Sequence, residues 1–247
     1  MPTIPAVLRL RRFVIEEIIW ESVNVYTLVL IPEQVEDAFD FIAGQWVYLH
    51  PLNEDGSSWG KAAFSIASAP ASQPGRIELC IEIKGELTRR ASKLGVGHVV
   101  GLQGPFGVFT VRSTDEAPFL FLAAGIGITP LRSMIEQLLA QGSEQPIHLL
   151  YSSREIESFV YWERFEMLRQ RYPSFHPTCT LTGSVPAVWK DEHGRINGAM
   201  LDRWLPAVSH ATFFMCGPEA FMQDMQRLLV ERGIDTKKQI RRESFGS

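Results

Sequence analysis

A glycine-containing turn in the second half of the sequence has the composition of a phosphate-binding loop. It reads Ala124-Gly125-Ile126-Gly127-Ile128-Thr129-Pro130 and follows the apolar run Phe119–Ala124. Glycines let a backbone turn sharply and approach a ligand closely, and proline suits the first helical position, where no amide is needed. The free amides at the start of the following helix favour a pyrophosphate. An ordinary strand-to-helix turn has the same composition, so this motif alone leaves both interpretations open.

Two other patterns contain the residue types of catalytic or metal sites, but they lack the secondary structure or the spacing that such sites need. Gly56-Ser57-Ser58-Trp59-Gly60 fits the GxSxG pattern of hydrolases, but it lies in a polar loop that leads into a strand, whereas a nucleophile elbow joins a strand to a helix. The six histidines are scattered without metal-ligand spacing, at His50, His98, His148, His176, His193 and His210. We therefore expect neither a hydrolase nor a metal centre.

Composition and charge limit the class of protein further. The 247 residues are 45% apolar, which is enough for one or two folded cores, and the formal charge of −4 argues against a general nucleic-acid binder. Cys80, Cys179 and Cys216 are too few and too far apart for a disulfide framework, a Cys-rich zinc site or an iron–sulfur cluster. No segment has the length and apolarity of a secretory signal or a membrane span. The sequence therefore predicts a soluble cytoplasmic protein.

The elements that would position these residues change in pattern near residue 115. Before it, short β-rich runs alternate with turn segments, which is typical of an antiparallel sandwich or barrel. These runs are Val7–Ile19, Val25–Ile31, Gln45–Leu49, Ala63–Ala67, Ile77–Lys84, Val99–Leu102 and Val108–Val111. We expect a β domain over residues 1–114 and, after a linker at Ser113–Pro118, a second domain over residues 115–247.

In the second domain, predicted strands alternate with amphipathic helices, which indicates βαβ units and a parallel sheet. The predicted strands are Phe119–Ala124, Ile147–Ser152, Phe175–Leu181 and Ala211–Cys216. The predicted helices are Pro130–Gln141, Val160–Arg171, Gly198–Leu205 and Pro218–Arg232. The glycine turn thus lies between the first strand and the first helix of an α/β domain.

Several short motifs occur in one consistent order along the whole chain. They are Ala43-Gly44-Gln45, Phe64-Ser65-Ile66-Ala67-Ser68-Ala69-Pro70, Gly85-Glu86-Leu87-Thr88, Gly104-Pro105-Phe106-Gly107, Gly125–Pro130, Cys216-Gly217-Pro218 and Glu243-Ser244-Phe245. In this order and spacing the sequence resembles the ferredoxin–NADP reductase superfamily. The resemblance implies an antiparallel, flavin-binding β-barrel followed by a parallel-sheet α/β domain that binds NAD(P)H.

The resemblance also implies roles for individual residues. Hydride transfer depends mainly on positioning two cofactors, and the residues expected nearest to it are Ser65, Cys216 and Glu243, with Phe64 packed on the flavin ring. Flavin-binding residues would be Phe64, Ser65, Ile66, Ala67, Ile83, Lys84, Gly85, Leu87, Thr88 and Phe245. NAD(P)H-binding residues would be Gly125, Gly127, Thr129, Pro130, Ser153, Arg154, Cys216, Gly217 and Pro218.

One position departs from the family pattern. Ala62 stands where the family has an arginine that neutralises the flavin phosphate, and alanine makes no such contact. Lys61, Lys84 or the amides of Gly85–Thr88 are the alternatives for this phosphate. We expect FAD rather than FMN, held weakly, so a reductase that uses flavin as a dissociable substrate remains an alternative.

The nicotinamide nucleotide and the electron acceptor are predicted from charged residues. Ser152-Ser153-Arg154 follows the second strand of the α/β domain, with Tyr161 and Arg164 after it, where NADPH-dependent enzymes usually meet the 2′-phosphate. This favours NADPH over NADH. Two basic clusters would steer an acidic ferredoxin or flavodoxin, or are simply solvated surface. The clusters consist of Arg89, Arg90 and Lys93, and of Lys237, Lys238, Arg241 and Arg242.

We therefore predict a flavin-dependent reductase that passes hydride from NAD(P)H to FAD and then electrons to a separate redox protein. Two alternatives remain. One is an NAD(P)H:flavin reductase, and the other is a non-catalytic module that binds a nucleotide or a partner. In many relatives an iron–sulfur domain follows, so a longer multidomain reductase also fits the sequence.

Overall fold

The computed structural model describes residues 5–115, 117–187, 189–204 and 210–244. The chain divides into two compact units of similar size. The first contains the residues up to Thr110 together with Arg132–Ala140, and the second contains Val111–Leu131 and the residues from Gln141 onward. Among the described residues, no helix combines the length and the apolarity that a bilayer crossing requires.

The first unit is an antiparallel β structure, as the turn-separated β-rich runs predict. Its strands are β1 (Arg11–Ser22), β2 (Val25–Pro32), β3 (Trp46–Pro51), β4 (Ala62–Ser65), β5 (Ile77–Glu82) and β6 (Val99–Phe106). They form one six-stranded sheet in the order β4-β3-β6-β1-β2-β5. A short helix, α1 (Glu86–Ala91), follows β5.

The two edge strands of this sheet are joined to each other, which gives the unit its barrel character. Ile66, directly after β4, forms a bridge with Leu79 of β5, and the Ala67 amide donates to the Glu78 carbonyl at 2.8 Å. Both apolar side chains are completely buried among the inward-facing residues of the other strands. The predicted antiparallel barrel is therefore confirmed.

One predicted strand of this unit is wrong. Residues 108–111 are not a strand, because β6 ends at Phe106 and Gly107 turns the chain with φ +98°. A Cβ atom on Gly107 would lie 2.8 Å from Cδ1 of Trp46, so the turn also depends on a close approach that only glycine allows.

The second unit is a parallel sheet with helices, as the alternating pattern predicts. Its strands are β7 (Phe119–Ala124), β8 (Ile147–Ser153), β9 (Phe175–Leu181), β10 (Glu192–His193), β11 (Thr212–Gly217) and β12 (Ile240–Ser244). The strand order is β10-β9-β8-β7-β11-β12. The helices that follow these strands are α2 (Ile128–Ala140), α3 (Trp162–Arg171), α4 (Gly198–Trp204) and α5 (Glu219–Val230). Of α2, the part Arg132–Ala140 belongs to the first unit.

The strand order reverses direction between β7 and β11. The chain proceeds outward from β7 through β8 and β9 to β10, and then returns to place β11 on the other side of β7. In open α/β sheets, ligands bind at such a reversal, beyond the carboxyl ends of the strands. The chain segments that leave β7 and β11 are therefore where a nucleotide site is expected.

Two strands of the second unit were not predicted, and one of them bears on the site. Strand β12 has the sequence Ile240-Arg241-Arg242-Glu243-Ser244, whose charged residues hide the strand pattern. It nevertheless pairs in parallel with β11, placing Glu243 opposite Cys216. Strand β10 is only two residues long, Glu192–His193, and lies at the other edge of the sheet.

Candidate functional site

Ser65 provides the clearest sign of a ligand in the first unit. It is the last residue of β4, lies opposite Trp46 of β3 and is 4% exposed. Its Oγ atom is buried and has no hydrogen-bond partner among the described residues. Buried hydroxyls are nearly always hydrogen-bonded, so an orphaned one is a candidate to bond a ligand or an ordered water. The side chain predicted to bond the flavin ring is thus the one whose hydroxyl is unsatisfied.

Phe64 and Ile83 are apolar residues at the edge of the first unit's core. Both pack against the buried core of the first unit while remaining partly exposed. Phe64 lies opposite Val47, an inward-facing residue of β3, so its side chain is on the interior side of β4. Ile83 follows β5 and is held by its amide, which donates to the Asn24 carbonyl at 2.8 Å. A planar ring can pack on such apolar residues, as the resemblance implies.

The loop from Lys84 to Thr88 is organised by one hydroxyl group. Thr88 Oγ1 accepts from the amides of Lys84 at 3.0 Å and Gly85 at 3.1 Å, and donates to the Gly85 carbonyl. These two amides are therefore occupied. The first-turn amides of α1, those of Glu86, Leu87 and Thr88, have no acceptor within the helix. Of the backbone groups predicted to hold phosphate, the Gly85 amide is thus already bonded within the chain.

The lysines considered as substitutes for the family arginine are directed elsewhere. Ala62 lies opposite the inward-facing Leu49, on the same side of β4 as Phe64. Lys61 Nζ instead lies 4.7 Å from the centre of the Tyr48 ring, on the outward side of β3. Lys84 Nζ pairs with Glu82 at 2.9 Å and is largely exposed. Neither lysine therefore occupies the direction of an arginine side chain at position 62.

The glycine turn of the second unit is packed against the turn that follows β11. A Cβ atom on Gly127 would lie 2.3 Å from the carbonyl oxygen of Cys216 and 2.7 Å from the amide nitrogen of Gly217. A Cβ on Gly217 would lie 3.1 Å from Cβ of Ala124. These glycines are required because two backbone segments meet without room for side chains. The structure thus brings together the two motifs predicted to bind the nucleotide.

The start of helix α2 is open to a ligand. Gly125 has φ +54° and no atom within 4 Å of the position of a Cβ. The helix begins at Ile128, so Pro130 is its third residue and not its first. A short 3-10 turn over Gly125–Gly127 leads directly into α2, and the Ile128 amide donates to the carbonyls of Gly125 and Ile126. Thr129 Oγ1 caps locally by donating to the Ile126 carbonyl at 2.5 Å.

Cys216 is fully buried in the sheet between Ala123 of β7 and Glu243 of β12. Burial raises the pKa of its thiol well above the ordinary value, and the negative charge of Glu243 raises it further. The thiol is therefore neutral near pH 7 and is not a thiolate nucleophile. Its place beside the two glycine turns is that of a buried packing residue.

The loop after β8 carries the residues predicted to recognise the NADPH phosphate. Ser153 is buried, and its carbonyl accepts the Thr182 amide at 2.9 Å. The Arg154 carbonyl accepts the Gly183 amide at 2.9 Å, which fixes the backbone while the side chain is exposed. Within the described part of the chain, no ion pair involves the Arg154 guanidinium. An exposed, unpaired arginine on a fixed backbone is suited to binding a phosphate.

Tyr151, which the sequence analysis did not single out, is bonded to the glycine turn. Its hydroxyl donates to the Gly125 carbonyl at 3.1 Å and accepts from the Val160 amide at 3.3 Å. It therefore ties the glycine turn to the segment that leads into α3. In the sequence it is one aromatic residue in an apolar strand, and nothing in the pattern distinguishes it from a core residue.

Some predicted residues lie elsewhere or are already paired. Phe245, predicted to cover the flavin, lies outside the described residues. Arg241, counted in the second basic cluster, donates to the buried Asp115 carboxylate at 2.6 Å. Arg242 donates to Gln226 at 2.8 Å. Two charged side chains of that cluster are thus already bonded within the second unit. In the first cluster, the Arg90 guanidinium lies 4.0 Å from the centre of the Trp59 ring.

The serine of the hydrolase-like pattern does have a histidine nearby. Ser58 Oγ lies 3.4 Å from His50 Nδ1, but it donates to the Gly60 carbonyl at 2.7 Å. The segment runs from one strand of the barrel to the next, so it lacks the strand-to-helix turn of a nucleophile elbow.

Comparison with known proteins agrees with this geometry. Residues 121–227 match the family model of the oxidoreductase NAD-binding domain. The phenol hydroxylase P5 protein of Acinetobacter pittii is 30% identical over 214 residues, which cover 83% of this chain and 59% of that protein. The chain thus spans about three fifths of that relative's length.

Solved structures agree over almost the whole chain. A flavohemoglobin from Malassezia yamatoensis with bound FAD and heme is similar with a TM-score of 0.82 at 25% identity, covering 96% of this chain and 60% of that one. The flavohem-like FAD/NAD-binding domain of nitric oxide dioxygenase from Vibrio cholerae has a TM-score of 0.83 at 21% identity. That similarity covers 96% of this chain and 99% of the Vibrio domain.

Proposed function

This chain belongs, by its fold and by its NAD-binding domain, to the ferredoxin–NADP reductase superfamily, and we propose that it is an NAD(P)H-dependent flavoprotein reductase. In the proposed reaction, hydride passes from NAD(P)H to FAD, and electrons then pass to a separate redox partner. The observation that carries this proposal is the buried Ser65 hydroxyl without a partner, at the end of the strand where the superfamily binds flavin.

The residues of the first unit fit a flavin ring and fit its phosphate less well. The unsatisfied Ser65 hydroxyl supplies a hydrogen bond to a polar ring atom, and Phe64 supplies an apolar face for the ring. For the phosphate, the chain offers the first-turn amides of α1 in place of an arginine. When bound, the flavin supplies the chemistry that accepts a hydride and releases electrons one at a time.

The residues of the second unit bind and orient the nucleotide. The amides of the glycine turn Gly125–Gly127, which begins the helical stretch that continues as α2, would face the pyrophosphate, and the open space at Gly125 leaves room for it. Tyr151 fixes the Gly125 carbonyl and so sets the direction of the turn. Cys216 stays protonated and gives the nicotinamide end of the site an uncharged wall.

Ala62 stands where the superfamily has an arginine, and this difference favours a second candidate function, a reductase that releases its flavin. We predict that Ala62→Arg lowers the dissociation constant of FAD by about tenfold or more, since a charge-assisted contact to phosphate contributes roughly 1.5–3 kcal/mol. Ala63→Arg is the matched control, because Ala63 is exposed and lies opposite Tyr48, on the outward side of β4. Equal FAD affinity in the Ala62→Arg variant and the parent would show that no phosphate comes near position 62.

NADPH is the proposed hydride donor, because Arg154 is exposed and unpaired within the described residues. We predict that Arg154→Ala raises the KM for NADPH by about tenfold and leaves the KM for NADH within about twofold, since only NADPH carries the 2′-phosphate. The control is Arg169→Ala, which removes an exposed arginine of α3 that pairs with Glu166 at 2.6 Å. A parallel rise for both nucleotides would reject the 2′-phosphate role.

A small redox protein, such as a ferredoxin or flavodoxin, is the proposed electron acceptor. The support is the basic group on and after α1, in which Arg89 and Lys93 are exposed beside the segment expected to hold flavin phosphate. The second basic group offers fewer free charges for docking an acidic partner than its sequence indicates, because Arg241 is bonded to Asp115 and Arg242 to Gln226. A cytoplasmic location is part of the same proposal.

Steady-state turnover tests the proposed function. The purified protein, supplied with FAD, is expected to oxidise NADPH while reducing ferricyanide or cytochrome c, and to require FAD for it. If free FAD alone sustains NADPH oxidation with saturation kinetics and no flavin stays bound, the flavin-releasing reductase is the correct form. Absence of turnover with both nucleotides and every acceptor would leave the non-catalytic binding module.

A further inference from the structure

A group of buried charges in the first unit has no part in the proposed chemistry. Arg132 of α2 donates to Glu78 of β5 at 2.5 Å and to Glu136, one turn further along α2, at 2.8 Å. All three residues are between 2% and 5% exposed. Gln73 donates to the second oxygen of Glu78 at 2.6 Å. Burying two carboxylates and one guanidinium is costly, and such a group adds little to stability compared with apolar residues of the same size.

The same charged group holds the chain that follows Ser65. The Glu78 carbonyl accepts the Ala67 amide at 2.8 Å, and the Glu78 amide donates to the Ser68 hydroxyl at 3.1 Å. Glu78 is therefore bonded through its backbone to the segment that carries Ser65 and through its side chain to Arg132. Glu78 thus connects Arg132 to Ala67 and to Ser68.

Helix α2 also bonds this segment directly. Ser133 Oγ donates to the Ser68 carbonyl at 2.5 Å, with both residues fully buried. One turn further along the helix, Gln137 Oε1 accepts the Ala71 amide at 2.9 Å. Residues 133 and 137 lie on one face of α2, while residues 132 and 136 lie on the neighbouring face. Helix α2 is thus bonded to the segment after β4, at Ser68 and Ala71, and to Glu78 of β5.

We propose that Arg132 and Ser133 are positioning residues for the flavin, acting through Glu78 and Ser68 to fix the place of the Ser65 hydroxyl. This proposal rests on the proposed function, because it assigns the clamp (Glu78, Arg132, Ser133 and Glu136) to the flavin-binding segment. The directional bonds of the clamp explain why buried charges are kept where apolar residues would suffice. A displacement of about 1 Å in a positioned group costs about 100-fold in rate.

The test compares two single variants, Arg132→Met and Ser133→Ala, with the parent. A third variant combines the three substitutions Glu78→Met, Arg132→Met and Glu136→Leu in one protein. The triple variant replaces all the buried charges by apolar side chains, so its melting temperature is expected to stay near that of the parent. All three are expected to reduce FAD at saturating NADPH about 10- to 100-fold more slowly than the parent. Arg227→Met is the control, since Arg227 forms an exposed pair with Glu231 at 2.9 Å.

Hydrogen exchange in the flavin-free protein gives a second measurement that does not depend on activity. The Ala67 amide is expected to exchange at least about tenfold faster in Arg132→Met and in Ser133→Ala than in the parent. A parent protein that neither binds nor reduces FAD would overturn the proposed function, and the exchange rates would still decide on the clamp. Parent-like exchange, together with a parent-like reduction rate in the triple variant, would overturn the clamp and leave the buried charges a purely structural role.

Discussion

Replacing Ser65 by alanine is expected to slow the reduction of bound FAD by NADPH about 100- to 1,000-fold, while FAD affinity falls less than about tenfold. The buried Ser65 hydroxyl has no partner within the described chain, so a hydrogen bond to the flavin ring is the interaction it is free to make. Loss of one preorganised hydrogen bond at a reacting group costs about 100- to 1,000-fold in rate. Loss of one neutral hydrogen bond costs only about 0.5–1.5 kcal/mol in binding.

Stopped-flow absorbance at the flavin band measures the first quantity, and quenching of flavin fluorescence measures the second. Ser174→Ala is a suitable control, since Ser174 Oγ donates to the Ser143 carbonyl at 3.1 Å in the other unit. A variant at position 65 that reduces FAD at the parent rate would remove Ser65 from the reaction. Equal losses in rate and in affinity would assign it to binding alone.

Gly127→Ala is expected to weaken NAD(P)H binding about 100-fold or more and to lower the free energy of unfolding by about 1–3 kcal/mol. The new Cβ would lie 2.3 Å from the Cys216 oxygen and 2.5 Å from its carbonyl carbon. Both are backbone atoms of β11, so no side chain can rotate away and the turn itself must move. The turn holds the amides that face the pyrophosphate, and binding falls with their displacement.

Calorimetric titration with NADP⁺ and urea denaturation measure the two effects. Gly95→Ala serves as the control, because a Cβ there meets no atom within 4 Å. FAD affinity in Gly127→Ala is expected to match the parent, since the proposed flavin-binding residues other than Phe245 belong to the first unit. Parent-like affinity for NADP⁺ would show that the glycine turn is not the nucleotide site.

Most of the fold was predictable because apolar residues recur along the strands and helices with one clear period. Alternation in β3 places Val47 and Leu49 inside and Trp46 and Tyr48 outside, which is why the antiparallel unit was evident from the sequence. Strand β12 was not evident, because three of its five residues are charged and its apolar content is one isoleucine. Its place is determined by pairing with β11, an interaction that no local pattern records.

In the candidate site, too, features set by local sequence were predictable and features set by distant partners were not. The glycine turns were predictable because close backbone approach restricts the residue type, as at Gly127. Tyr151 and Arg132 were not, since each acts through partners far away in sequence, Gly125 and Glu78. The assignment of Arg241 to a docking surface missed its bond to Asp115, which lies 126 positions earlier.

The most direct test of the proposed reductase activity is the visible spectrum of the protein loaded with FAD, recorded without oxygen before and after NADPH is added. We expect an oxidised flavin band that is lost on addition of NADPH, at a rate that becomes independent of NADPH concentration when the nucleotide site is saturated. A protein that keeps its FAD bound and oxidised in the presence of both NADPH and NADH would contradict the proposed activity.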